Sequence, residues 1–440
     1  MSCVRSSHFG LATGFSVLVA CLVVAAPTFA TGATTSRVSI SSTEGQGAGP
    51  SYYASISADG RYVAFTSKAT NLVATDTNGR KDIFVRDRQL GTTELASITS
   101  AGLQGNGSSD FPSISGDGRY IAFLSRASNL VSGDTNGFED IFVRDRQAGT
   151  TRRVSISSGE GQANSGSGGA SSISANGRYV AFHSDATNLV ANDTNHTWDI
   201  FVRDLQAGTT KRVSINSAGL EGNGSSAWSS ISADGRYVAF GSNASNLVAN
   251  DTNGTTDVFV RDRQAGTTKL ISVSSAGGHG NDLSDGVSIS ADGRYVAFGS
   301  EAGNLVPNDT NGTWDTFVRD RQADTTKRVS ISSAGLQGNA SSGDHPSISA
   351  DGRYIAFGSD ADNLVANDTN DTPDVFVRDR QAGTTRRVSI SSAGLQGSGS
   401  SYYPSISTDG RYIAFGSYAN DLVANDTNGV RDIFVRGPLH

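Results

Sequence analysis

The chain is 440 residues long and acidic, with a formal charge of −7, which argues against nucleic acid or an anionic membrane surface as its main partner. Glycine is abundant at 52 residues, methionine occurs once, and no long stretch carries a 3.6-residue apolar period, so helical architectures are excluded in favour of an all-β protein. The two cysteines, Cys3 and Cys21, both precede residue 31, which leaves the body of the chain without a disulfide or a cysteine-ligated metal.

Residues 1–30 read as a secretory signal peptide. Arg5 supplies the positive charge, residues 15–26 the short apolar core, and Thr28-Phe29-Ala30 a small-residue cleavage site. The apolar run is too short for a membrane span. A lipoprotein signal competes with this reading because Leu18-Val19-Ala20 precede Cys21, although the apolar residues continue past that cysteine. Both readings send the protein out of the cytoplasm, to the periplasm, the cell envelope or the medium.

Residues 31–440 form one region built from a single repeat. The stretch SISADGRYVAFTSKATNLVATDTNGRKDIFVRD, residues 55–87, returns six more times. The isoleucine of its Ser-Ile-Ser falls at Ile56, Ile114, Ile173, Ile231, Ile289, Ile348 and Ile406, a period of 58 or 59 residues. Each unit holds four short strand-like segments, in the first unit 55–57, 61–65, 82–87 and 94–99. Asp-Gly joins the first segment to the second in six units and Asn176-Gly177 in the third, a pattern that predicts a two-residue type I′ hairpin. Tyr-Val-Ala-Phe and Ile-Phe-Val are continuous apolar runs, as strands covered on both faces require. Sheets of that kind must cover one another, and seven of them do so by closing into a ring. The predicted fold is an all-β, seven-bladed β-propeller of four-stranded antiparallel blades. The last unit lacks its fourth segment, and residues 37–41 match 387–391, so the N-terminal strand is expected to complete the last blade.

The repeat SISADGRYVAF, followed by DTNG and DIFVRD, resembles the TolB-type, WD40-like propeller repeat over about nine-tenths of the chain. That resemblance implies the fold and little about activity, since propellers host binding modules and enzymes alike. TolB itself carries an additional α/β domain and acts in the cell envelope. No such domain is read in this sequence, so TolB's role is not carried over.

Antiparallel order puts the Asp-Gly and Arg-Gln-Ala-Gly-Thr turns on one face of the ring and the long loops on the other, the expected binding face. The sevenfold loop Asp-Thr-Asn-Gly-x-x-Asp places three side-chain oxygens in seven residues and resembles the opening of a calcium loop. In the fourth and fifth units the glycine is intact and no basic residue lies in the loop. Asp251, Asn253 and Asp257, with Asp309, Asn311 and Asp315, are therefore the candidate Ca2+ ligands. The alternative is a structural turn, with Asp and Asn bonding their own backbone and the last Asp a buried acceptor for loop amides or for a repeated arginine such as Arg86.

Just before each Ser-Ile-Ser the repeats disagree. The slot reads Tyr52-Tyr53, Asp110-Phe111, Gly169-Ala170, Ala227-Trp228, Asp285-Gly286, Asp344-His345 and Tyr402-Tyr403. Its neighbours are nearly uniform, so blade packing alone does not set it. Aromatic faces beside carboxylates suit sugars or peptides, which makes Tyr52, Tyr53, Asp110, Phe111, Trp228, Asp344, His345, Tyr402 and Tyr403 the candidate ligand-binding residues. The competing reading is that these rings plug the channel mouth. Trp198 and Trp314 border the same face or pack between blades.

No His-Glu-x-x-His and no Gly-x-Ser-x-Gly occurs. The leading reading is a monomeric, non-catalytic binding or scaffold module that engages a glycan or protein at the cell envelope. Two others stand beside it. One is a secreted hydrolase or lyase using His345 with Asp344 and Asp110; the other is a calcium-stabilised structural envelope module.

Overall fold

The computed structural model describes residues 32–343 and 345–440; the signal segment 1–30 and Asp344 lie outside the described residues. Seven four-stranded antiparallel sheets follow one another around a ring. In blade 1 the inner strand is Ser51–Ile56, the second Tyr62–Ser67, the third Asp82–Asp87 and the outer Thr92–Leu95. Blade 7 takes Ser401–Ile406, Ile413–Ser417 and Asp432–Gly437 from the end of the chain and Thr34–Arg37 from its beginning. Thr34 lies opposite Gly437 and Arg37 opposite Phe434, so the ring closes as the unequal chain ends imply. Among the described residues no helix is long and apolar enough to cross a membrane.

The core lies between blades. Ala64, Ile83 and Val85 of blade 1 pack with Ile114, Ile121, Phe123 and Phe142 of blade 2. The seam between blades 7 and 1 has the same make-up, with Val38, Ile433 and Val435 against Ile56, Val63 and Phe65. Within each blade one phenylalanine of the second strand faces one of the third, as Phe65 does Phe84 at 5.9 Å between ring centres. A ring of serines ties the seams together around the channel. Ser55 Oγ accepts the Ile114 N–H at 3.1 Å, and the circuit ends where Ser405 Oγ accepts the Ile56 N–H at 3.2 Å.

Two local expectations need correction. The Asp-Gly turn is not type I′: Gly60 has φ +72°, whereas Asp59 has no positive φ. The Gly60 N–H bonds the Ser57 carbonyl at 3.0 Å, and Asp59 Oδ1 accepts the Arg61 N–H at 2.9 Å, a wider turn in which only the glycine is left-handed. Glycine is also required by its neighbour. A Cβ on Gly118 would stand 2.2 Å from the Tyr62 ring of the preceding blade, and one on Gly60 would stand 2.3 Å from Tyr412. The outer strand, in turn, is Thr92–Leu95 and not 94–99. The chain leaves the ladder there because Ser97 turns onto the third strand, donating to Asp82 Oδ1 at 2.5 Å while accepting the Ile83 N–H at 3.1 Å. Alternation of Ala96 and Ser97, Val-Ser in most other blades, thus serves a core contact and a buried carboxylate instead of strand pairing.

On the turn face of blades 1 to 6 the arginine after the Asp-Gly or Asn-Gly grips the aspartate that ends the third strand, as Arg61 does Asp87 at 2.7 Å. The Arg294 guanidinium holds Asp320 down at about 2 against an ordinary 3.8, and Arg353 does the same for Asp379. A depressed carboxylate contributes stability that is whole above its unfolded value and lost as pH falls from about 3.8 to about 2. Arg294→Gln is therefore expected to move the acid-unfolding midpoint upward, followed by far-UV circular dichroism from pH 5 to 1.5. Gly118→Ala is expected to cost about 2–4 kcal/mol in urea unfolding, from left-handed strain plus the clash with Tyr62. Gly137→Ala, at φ +74° with nothing within 4 Å of its Cβ, should cost only about 1 kcal/mol. Equal losses would mean the tyrosine contact is not what demands glycine.

Candidate functional site at the channel mouth

In six blades the inner strand carries a bulge where it approaches the long-loop face, and in blade 6 that strand is reduced to Ser347–Ile348. In blade 1, Tyr52 pairs with Thr66 and Ser55 with Ala64, so Tyr53 and Ala54 together oppose Phe65. At this place one residue per blade is in the left-handed region: Tyr53, Phe111, Gly169, Trp228, Gly286, His345 and Tyr403, with φ between 46° and 66°. The third-blade slot is therefore Gly168-Gly169, not Gly169-Ala170. That blade's inner strand has one residue more than its neighbours, seven against six, which accounts for its longer period.

Five of the seven left-handed positions carry rings, and the rings meet across the mouth. Tyr53 lies 4.3 Å from Phe111 and 5.1 Å from Tyr403 between ring centres. Tyr403 lies 5.4 Å from His345, which lies 5.0 Å from Trp228. All five rings are partly exposed, and they line a cavity of about 280 Å3. Of the predicted residues, Tyr52 and Tyr402 flank this arc, 6.2 Å from Tyr53 and Tyr403 respectively, and Asp110 is paired with Lys81 at 2.6 Å.

Several members of the site are missed by the sequence pattern. Arg431 is 5% exposed and its guanidinium lies 5.1–6.0 Å from the rings of Tyr52, Tyr402, Tyr403 and Tyr418, so a cation fixes the tyrosine cluster. Its backbone carbonyl accepts the Ser51 N–H of the next blade at 2.8 Å, as Lys81 and Trp198 do for Ser109 and Ser226. The signal was present in the variability of this position, which holds lysine, glutamate, tryptophan, threonine, tryptophan, proline and arginine in turn. Trp198 stands edge-on to His183, 5.2 Å away, and Trp314 packs on Gly299 and Gly343. Burial lowers His183 to about 4, so it is neutral at pH 7. Asp285 lies over Gly241 of the neighbouring blade, its Oδ1 without a partner, and burial raises it to about 6.

The Asp-Thr-Asn-Gly loops surround this mouth, and their internal bonding is that of a turn. Asn253 Nδ2 donates to Asp257 Oδ2 at 2.7 Å while its Oδ1 accepts the Thr255 N–H at 3.1 Å; Asn311 is arranged likewise with Asp315 and Thr313. The closing aspartate is completely buried and held by a serine hydroxyl and the loop asparagine. Its arginine partner, where present, is not the third-strand residue typified by Arg86, which bonds Thr93 and the Ser41 carbonyl, but the last residue of the outer strand. In the fifth blade Arg328 reaches both Asp309 and Asp315, at 3.0 and 3.4 Å, and so takes the place between them.

No family model and no curated protein matches the chain. Solved structures do. An oligogalacturonate lyase in complex with manganese matches at 13% identity and a TM-score of 0.53, covering 92% of this chain and 90% of that one. The β-propeller domain of the Trilobed protease from Pyrococcus furiosus, described as having an open velcro topology, matches at 9% identity and 0.54, covering 88% and 93%. The fold is that of a β-propeller. TolB from Acinetobacter baumannii is also among the matches, at 15% identity and 0.41, covering 77% of this chain; the chain spans 62% of that protein. At these identities the likeness is one of fold, and propellers of this kind include lyases and peptidases as well as TolB.

A carboxylate raised by burial opposes folding as it ionises, so Asp285 erodes stability as pH rises from about 3.8 to about 6. Asp285→Asn is expected to flatten that slope and to raise the melting temperature at pH 7.5 by a few degrees. An unchanged pH profile would show that the carboxyl is solvated in solution.

Proposed function

We propose that this propeller is an exported, non-catalytic binding module that captures a glycan at its channel mouth. The observation that carries this reading is the use of Tyr53, Phe111, Trp228, His345 and Tyr403 at backbone positions where two other blades place glycine. Left-handed backbone costs a side-chain-bearing residue about 1 kcal/mol or more, so rings at five such positions stand against local preference. They form a partly exposed, rigid aromatic floor with Asp110, Lys81 and Asp285 at its edge, a combination of stacking faces and hydrogen-bonding groups that suits sugar rings. The envelope location rests on the reading of residues 1–30 as a secretory signal.

The test replaces Tyr53, Phe111 and Tyr403 together by glycine, which suits their φ values of 47°, 53° and 52°. On a glycan array the variant is expected to lose capture by roughly tenfold or more, with its melting temperature nearly unchanged. Undiminished glycan capture overturns the reading, as does a wild-type protein that captures no glycan and instead retains a protein from an envelope extract. A catalytic reading draws on His345, which stands within the arc, and on the lyase among the structural matches. Acidic oligosaccharides therefore belong on the array. Turnover that disappears in His345→Ala would replace binding by catalysis.

A further inference from the structure

Among the described residues at the channel mouth, one buried cation has no counter-charge. The position just before the third strand places its carbonyl on a serine N–H of the next blade at all seven seams, and it is basic twice, as Lys81 and as Arg431. Lys81 reaches across its seam to Asp110, the residue after that serine, at 2.6 Å. At the seam between blades 7 and 1 the residue in Asp110's place is Tyr52. Arg431 thus meets a ring, at 5.5 Å, where Lys81 meets a carboxylate.

Arg431 is 5% exposed, and its Nε and Nη2 are buried with no hydrogen-bond partner. Tyr52, Tyr402, Tyr403 and Tyr418 offer it ring faces, which offset part of the cost of burying a charge but are not strong N–H acceptors. Room is made for it as well: a Cβ on Gly416 would stand 2.5 Å from Nε and 2.6 Å from Nη2. Blade packing does not call for a cation there, because Glu139, Trp198, Thr256, Trp314 and Pro373 fill the position in the other five blades. A buried, unpaired guanidinium that the scaffold does not require is a place kept for an anion.

We infer that Arg431 is the anchor for a ligand carboxylate, and that the glycan taken at the channel mouth is an acidic one built from uronic acids. The inference rests on the reading of the mouth as a glycan site and names the class of glycan. A guanidinium binds both oxygens of a carboxylate through parallel N–H bonds, so a sugar acid both pairs the charge and occupies the donors. Tyr52, Tyr402 and Tyr403 are partly exposed and Tyr418 is 53% exposed, so stacking faces for the sugar ring lie around the cation. Lys81 does not compete for the same group, since Asp110 already neutralises it.

The test immobilises oligouronides beside the same oligosaccharides with their carboxylates reduced to alcohols, together with sulfated neutral oligosaccharides. The protein is expected to capture the uronides about tenfold or more tightly than the reduced forms. Arg431→Gln is expected to bring the two forms level, with circular dichroism confirming that the variant is folded. Arg431→Lys keeps the test open should the glutamine variant fail to fold, and is expected to show a smaller preference, because a charge remains without the planar fork. Equal capture of uronides and reduced forms by the parent overturns the inference and leaves the glycan reading standing, as does a preference that survives in Arg431→Gln. Sulfated neutral sugars captured as tightly as uronides also overturn it, since charge and not a carboxylate would then be recognised. A parent that captures none of the three overturns both this inference and the glycan reading.

Discussion

Everything in this molecule depends on each blade having two apolar faces and only its neighbours to cover them. Ile83 and Val85 point one way and Phe65 and Phe84 the other, all fully buried, so a blade standing at an open end would expose an entire face. The strand Thr34–Arg37 on the edge of blade 7 removes that end. Because this strand belongs to the first segment of the chain, the seam between the last blade and the first is made of the same contacts as the other six. The serine-to-isoleucine bond that crosses it, Ser405 to Ile56, and the one across the next seam, Ser55 to Ile114, are equivalent links of one circuit.

Closure has a consequence at each end of the channel. On the turn face it sets tyrosine against glycine from blade to blade and stacks a guanidinium on the tyrosine, as Arg146 does over Tyr62 at 4.5 Å. At blade 7, where the repeat runs out, His440 takes the arginine's part and stacks on Tyr354 at 4.7 Å. On the long-loop face closure brings seven left-handed inner positions, six of them at bulges, into one circle. A bulge that is a local irregularity in a single sheet becomes, repeated around an axis, a mouth whose lining varies residue by residue while its backbone does not. That separation lets a uniform scaffold carry an asymmetric site.

The acidic loops show the same economy. A completely buried aspartate tethers the third strand to the outer strand through serine, and the loop to the strand through asparagine. Its charge is countered from the outer strand in five blades. The loops are thus built as joints between strands.

The sequence by itself determined the blade count, the antiparallel order and the closing strand, because a period repeated seven times with one segment displaced to the front admits a single closed arrangement. It also marked the channel mouth, since positions such as Tyr53 and Trp228 vary where every neighbour is uniform. The limits of the outer strand were not legible, because Val-Ser alternation looks the same whether serine faces solvent or a buried Asp82. Nor was the turn type, since Asp-Gly serves a two-residue hairpin and a wider turn equally, and the Tyr62 ring that demands glycine comes from another repeat. The left-handed backbone under Tyr53 and His345, the tyrosines gathered around Arg431, and the arginine shared by the acid pair in five of the loops were decided only by tertiary structure. Each of these joins residues from different strands or different repeats, and a linear pattern records what recurs along the chain but not what meets across it.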